Sequence, residues 1–160
     1  MSTVNQTAII ELAGLKATNA LAHDLAQLAE PGDVIALSGD LGAGKTAFAR
    51  AFIRALTEPD EDVPSPTFTL VQTYEGERFD IWHFDLYRLE HPEEVFELGI
   101  EEALDNAVSL IEWAERMGPY IPRERLEIRL TVGKGKNHRQ AELIAHNAAW
   151  ADRLKAYVHD

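Results

Sequence analysis

Residues 39–46 read Gly-Asp-Leu-Gly-Ala-Gly-Lys-Thr and match G-x-x-x-x-G-K-[ST] at every specified position. Each residue type in that pattern has a physical task. Glycines let successive backbone N–H groups turn toward one point with no Cβ in the way, which makes a cradle for phosphate oxygens. A helix opening directly after the turn adds its positive N-terminal pole. Lys45 supplies a point charge for β and γ phosphates, and the Thr46 hydroxyl offers Mg²⁺ a hard oxygen. The flanking sequence fits. Val34-Ile35-Ala36-Leu37 is a continuous apolar run, as in a central strand buried on both faces. Phe48, Phe52 and Leu56 then recur along one stripe of a helix expected over about residues 45–56. Gly39, Asp40, Leu41, Gly42, Ala43, Gly44, Lys45 and Thr46 are therefore the expected nucleotide-binding residues.

The remaining chain reads as a mixed α/β domain spanning residues 1–160. Strands are expected at residues 8–12, 67–74, 79–86, 107–113, 126–132 and 140–145, with hairpin turns at 75–78 and 133–137. Thr18 is expected to cap a helix carrying Leu21, Leu25 and Leu28, which Pro31-Gly32 stops. His91-Pro92-Glu93-Glu94 opens another helix, ended by Gly99. A last one carries Trp150, Leu154 and Val158. The fold expected is a three-layer phosphate-loop α/β architecture: a mostly parallel central sheet with antiparallel hairpin additions and flanking helices.

Composition narrows the chemistry further. The chain has no cysteine, so thiolate zinc sites, disulfides and cysteine nucleophiles are excluded. No apolar run approaches a membrane span, and no signal-like segment opens the sequence, so a cytoplasmic, membrane-free protein is expected. The net charge of −12 argues against a freestanding nucleic-acid binder. Residues 57–115 hold 17 acidic and 2 basic side chains, whereas residues 116–139 hold 7 basic and 2 acidic. Lys134, Lys136 and Arg139 gather at the second hairpin, a candidate contact for RNA or an acidic partner face.

Mg²⁺·nucleotide chemistry needs a carboxylate at the end of a neighbouring strand and a group that orients water. Asp85 closes one apolar run and Glu112 another, and both are candidates for metal binding and catalysis alongside Lys45 and Thr46. Asp80 reads as an ordinary solvated carboxylate. Ser65 and Thr67, in Pro64-Ser65-Pro66-Thr67, read either as a stiffened switch segment or as a turn before a strand. His83 lies close to Asp85 on one run. Taking neighbouring strand residues to face opposite ways, we expect a structural histidine and not a general base. Trp113, directly after Glu112, fits a place against the nucleotide or in the core. The other histidines are scattered, without metal-ligand spacing.

GDLGAGKT at 39–46, SPTFTLV at 65–71, HFDLYRL at 83–89, Glu97-Leu98-Gly99 and Ile111-Glu112-Trp113-Ala114-Glu115 occur in that order. Together they resemble the bacterial TsaE (YjeE) family over residues 8–146. The resemblance implies a slow ATPase of tRNA threonylcarbamoyladenosine (t6A) biosynthesis that uses ATP and Mg²⁺. It implies action with the threonylcarbamoyl transferase and its paralogous partner on adenosine 37 of tRNAs reading codons that begin with A. The tRNA is met through the complex, and the chain alone is expected to be a monomer. By the same resemblance Lys45 and Thr46 serve phosphate and Mg²⁺, Asp85 the metal or catalytic water, Glu112 is the second carboxylate, Ser65 to Thr67 form the switch, and Trp113 stands near the nucleotide. The residues alone also admit a small-molecule kinase or a GTP-dependent switch, although the Asn-Lys-x-Asp tetrapeptide of guanine-specific proteins is absent.

Overall fold

The apolar run ahead of the glycine-rich turn becomes β2 (Val34–Ser38), the strand from which the site is hung. A computed structural model describes residues 6–40, 43–135 and 137–157. Leu41, Gly42, Lys136 and Val158 lie outside the described residues. β2 pairs in parallel with β5 (Val108–Glu112) on one side and β6 (Leu126–Val132) on the other, and β5 pairs in parallel with β4 (Asp80–Asp85). Antiparallel neighbours extend both edges: β3 (Val71–Glu75) on β4, β7 (His138–Ala145) on β6, and β1 (Gln6–Ala13) on β7. The resulting order is β1-β7-β6-β2-β5-β4-β3. A parallel centre with antiparallel additions is the arrangement the sequence predicts.

Alternation along β2 builds two cores. Ile35 and Leu37 face α1 (Leu15–Leu28) and α2 (Lys45–Leu56), where Phe48 and Phe52 are fully buried. Val34 and Ala36 face the other layer, where they join Ile100 and Ala103 of α3 (Ile100–Asn106). Each large apolar side chain so buried stabilises the fold by roughly 1.5–3 kcal/mol. Ile81, Val108 and Leu110 belong to the α2 side, and that parity decides which residues reach the phosphate loop.

Several local expectations are corrected. Thr18 does not cap α1. The helix starts four residues earlier in space, after Gly14 (φ 96°), and Thr18 is buried within it. Residues 67–70 form a turn instead of the first half of a strand. Leu70 has φ 68°, its N–H donates to the Pro66 carbonyl (2.7 Å), and its own carbonyl accepts from Asp85 N–H (2.9 Å). The helix opened by Pro92 is a 3₁₀ segment (Pro92–Leu98). Gly99, with φ 85°, ends it as expected and leads straight into α3, which the sequence reading missed. A further 3₁₀ stretch, Ala114–Tyr120, follows β5.

Trp150, Ala151 and Leu154 are part of the core. In α4 (Ala148–Arg153), Asn147 Oδ1 accepts the Trp150 N–H (2.9 Å), and the Trp150 ring is fully buried against the α1/α2 side. Arg153 ties this helix to the entrance of β2 through Asp33 (2.6 Å) and Glu30 (2.7 Å). Trp150→Ala is expected to cost about 3–5 kcal/mol through cavity formation. Urea unfolding measures it, and a loss below about 1 kcal/mol would show that the tail does not support the sheet.

Candidate nucleotide and metal site

Two backbone features fix the start of the site. Gly39 (φ 140°) sits so close to β6 that a Cβ would collide with the Leu130 carbonyl oxygen. Gly44, in the left-handed region (φ 103°), is the residue from which α2 departs, and Phe48 N–H donates to its carbonyl (2.9 Å). Both positions need glycine, one for close approach and one for conformation. Lys45 opens α2 and is buried, with a relative exposure of 5%. Its ammonium donates to the carbonyl oxygens of Gly39 and Asp40 (3.0 Å to the latter) and lies 4.4 Å from the centre of the Trp113 ring. The side chain is thus folded over the turn that it would serve.

The carboxylates arrive from the strand ends. Asp85 and Glu112 are register partners across β4 and β5, both buried, on the face that looks toward α2. The Thr46 hydroxyl donates to Glu112, with Oε1 at 3.0 Å and Oε2 at 3.3 Å. Asp85 Oδ1 accepts the Tyr87 N–H (3.1 Å), and Oδ2 accepts from the Thr67 hydroxyl (3.4 Å), which in turn contacts Ser65 Oγ (2.7 Å). Lys45, Thr46, Ser65, Thr67, Asp85, Glu112 and Trp113 line one cleft of about 280 Å³. Gly44 lines the same cleft, and Gly39 and Asp40 are tied to it through Lys45; Ala43 is buried in the first core and does not line it, and Leu41 and Gly42 lie outside the described residues. A larger open groove of about 700 Å³ runs between α1 and α2 and contains none of the carboxylates.

Trp113 packs partly against the second core and also lines the cleft beside Lys45. It adopts a left-handed conformation (φ 60°), which turns the chain after β5; its ring is half-buried against the second core and stands 4.9 Å from Tyr87. His83 requires a correction. It is two residues from Asp85, so the pleat puts both on one face. Its Nε2 lies 2.7 Å from Glu112 Oε2, and the ring is fully buried. Counting strand positions by two would have found it. Asp80 is exposed, as expected. Lys134 is exposed at the β6–β7 turn, and Arg139, also at that hairpin, donates to the His138 carbonyl (3.0 Å). Glu90, His91 and Glu94 come together on the surface because Glu94 accepts the His91 N–H (2.7 Å) and caps the 3₁₀ segment.

Electrostatically the pocket is short of positive charge at the strand ends. Burial pushes the Asp85 carboxyl above the usual carboxylate range, and the neighbouring Glu112 pushes it the same way. The Tyr87 N–H, His83 and the Thr67 hydroxyl only partly oppose this. Three hard oxygen donors, from Thr46, Asp85 and Glu112, beside such carboxylates suit a small divalent cation.

A family profile described as "Threonylcarbamoyl adenosine biosynthesis protein TsaE" matches residues 12–141. The chain belongs to the TsaE family. Its relatives include tRNA threonylcarbamoyladenosine biosynthesis proteins TsaE from Rickettsia felis, 44% identical over 131 residues, covering 82% of this chain and 76% of that protein. The Nostoc protein of the same name is 40% identical over 160 residues, covering 95% and 94%. The crystal structure of Bacillus subtilis YdiB superposes with a TM-score of 0.76 at 29% identity, covering 98% of this chain and 97% of that one. The phosphate-loop fold predicted for this TsaE family member is thereby shown. Among the described residues, no helix is long and apolar enough to cross a membrane.

The raised carboxyl has a thermodynamic consequence. A folded state that holds its proton more tightly than the unfolded chain loses stability as pH rises from the ordinary aspartate range through the raised value. Asp85→Asn removes that slope and one of two adjacent buried charges, while keeping an acceptor for Tyr87 N–H. It is expected to stabilise the Mg²⁺-free protein at neutral pH by about 0.5–2 kcal/mol. Thermal melts from pH 4 to pH 8 test this, and a destabilised variant would contradict it.

Proposed function

We propose that this chain is the Mg²⁺-dependent ATP-hydrolysing subunit of t6A biosynthesis, acting with the threonylcarbamoyl transferase and its paralogous partner on adenosine 37 of tRNAs reading codons that begin with A. Membership of the TsaE family supports the pathway, since the relatives carry t6A biosynthesis in their names. One observation supports the chemistry above the others: the hydroxyl after the phosphate-loop lysine is already joined to a buried strand-end carboxylate that has a second carboxylate beside it.

The roles follow from the atoms. Backbone N–H groups of the turn and of the first turn of α2 receive phosphate oxygens. Lys45 exchanges its carbonyl partners for the γ-phosphate. Thr46, Glu112 and Asp85 would hold Mg²⁺, which would supply positive charge to offset that of the phosphates. The attacking water is oriented by the strand-end carboxylates. As its oxygen bonds to the γ-phosphorus, the bridging bond to the β-phosphate breaks, ADP leaves, and the protons of the water leave with the inorganic phosphate and solvent. Thr67 and Ser65 border the same space with hydroxyls on a turn held by Asp85. A net charge of −12 accords with contact to tRNA through partner subunits instead of directly.

Phosphate release from ATP tests the proposal, with the chain alone and with both partners. Slow release alone, acceleration by the partners, and a loss of at least about 100-fold in Lys45→Ala are expected. Equal rates with and without partners would contradict the coupling.

A further inference from the structure

Glu112 is 2% exposed, and its carboxylate needs donors that the solvent does not supply. Among the described residues it has two side-chain donors, the Thr46 hydroxyl and the His83 ring. They divide the carboxylate between them. His83 Nε2 holds Oε2 at 2.7 Å, and the shorter Thr46 contact, 3.0 Å, is to Oε1. The Thr46 hydroxyl is the group expected to turn toward Mg²⁺, so its bond to Glu112 is exchangeable. The His83 bond runs to a ring with no exposed surface, seated on β4 directly across from Leu110 of β5. It stays when Thr46 turns away.

The ring's own chemistry fixes which nitrogen carries the proton. Among the described residues, buried Nδ1 has no hydrogen-bond partner. A proton there would be an unpaired buried donor, and it would leave a bare Nε2 lone pair facing a carboxylate at 2.7 Å. Both are costly. A proton on Nε2 gives Glu112 Oε2 its donor.

We infer that His83 is a positioning residue that locks the Glu112 carboxylate by its Oε2 atom, so that Oε1 stays turned to Thr46 and to the ion site. Metal sites commonly depend on such partners behind the ligands, and removing one typically costs 10–100-fold in metal affinity or activity. The inference rests on the Mg²⁺·nucleotide reading above and adds to it a residue outside the phosphate loop and the two carboxylates. The arrangement is not a general-base assignment, because Glu112, and not the reacting water, occupies Nε2.

Calorimetry with a non-hydrolysable ATP analogue, with and without Mg²⁺, tests this on the full chain. His83→Leu is expected to lose at least about 10-fold of the affinity gained on adding Mg²⁺, with Mg²⁺-free affinity within about 3-fold of wild type. His83→Gln, whose amide nitrogen overlays Nε2, restores most of the gain. In a Glu112→Ala background His83→Leu has no further effect. A Leu variant with wild-type Mg²⁺ dependence, a Gln variant no better than Leu, or an undiminished effect without Glu112 overturns the inference. Should His83→Leu not fold, histidine ¹⁵N spectra of the wild type decide, since protonation at Nδ1 alone contradicts the bond proposed. A wild type that gains no affinity from Mg²⁺ would instead refute the underlying functional reading.

Discussion

The parallel pairing of β4, β5 and β2 governs everything else in the molecule. Pairing in register brings Asp85 level with Glu112, and places both beside the point where β2 hands over to the glycine-rich turn. Because a slip of one residue would turn both carboxylates to the opposite face, the site depends on apolar side chains such as Ile81, Val108 and Leu110 that fix the register from within the core. Gly39, pressed against the Leu130 carbonyl, fixes the turn from the β6 side. Core packing and site geometry are therefore one constraint, met on both flanks of β2.

The same geometry gathers charged and polar groups where burial penalises them. Lys45, His83, Asp85 and Glu112 are all buried, and they are stabilised locally: the ammonium by turn carbonyls and the Trp113 face, the carboxylates by Thr46, His83, Thr67 and the Tyr87 N–H. On the reading proposed above, a magnesium nucleotide would replace the carbonyl partners of Lys45 and the Thr46–Glu112 bond, whereas the His83–Glu112 bond would remain. Behind the cleft-lining Trp113, Tyr87 packs at 4.9 Å and Arg116 lies over the Tyr87 ring, while Arg88 lies over the exposed Phe68 ring.

How much of this was legible in the sequence differs by element, for physical reasons. The bounds of α2 were readable because a glycine-rich turn and a 3.6-residue apolar stripe coincide there. β5 was readable as a buried run. The turn at residues 67–70 was not. Thr67-Phe68-Thr69-Leu70 alternates like a strand, whereas Phe68 is 80% exposed and the backbone is bent by hydrogen bonds to Pro66 and to the distant Asp85. The cap of α1 was misplaced because Thr18 is a good capping residue, but Gly14 already supplies the backbone change at the end of β1. Asp85 and Glu112 were legible as carboxylates ending apolar runs. Counting by two along β4 puts His83 on the face of Asp85, but its partner Glu112 lies 29 positions along the chain and is revealed by the β4–β5 register.

The most direct measurement is a crystal structure of the chain with Mg²⁺ and a non-hydrolysable ATP analogue. The account predicts that the Lys45 ammonium leaves the Gly39 and Asp40 carbonyls for the phosphate chain, with a metal ion bounded by Thr46 and the Asp85/Glu112 carboxylates. A nucleotide seated away from residues 39–46, or a Lys45 still bonded to those carbonyls with no ion beside Thr46, would contradict it.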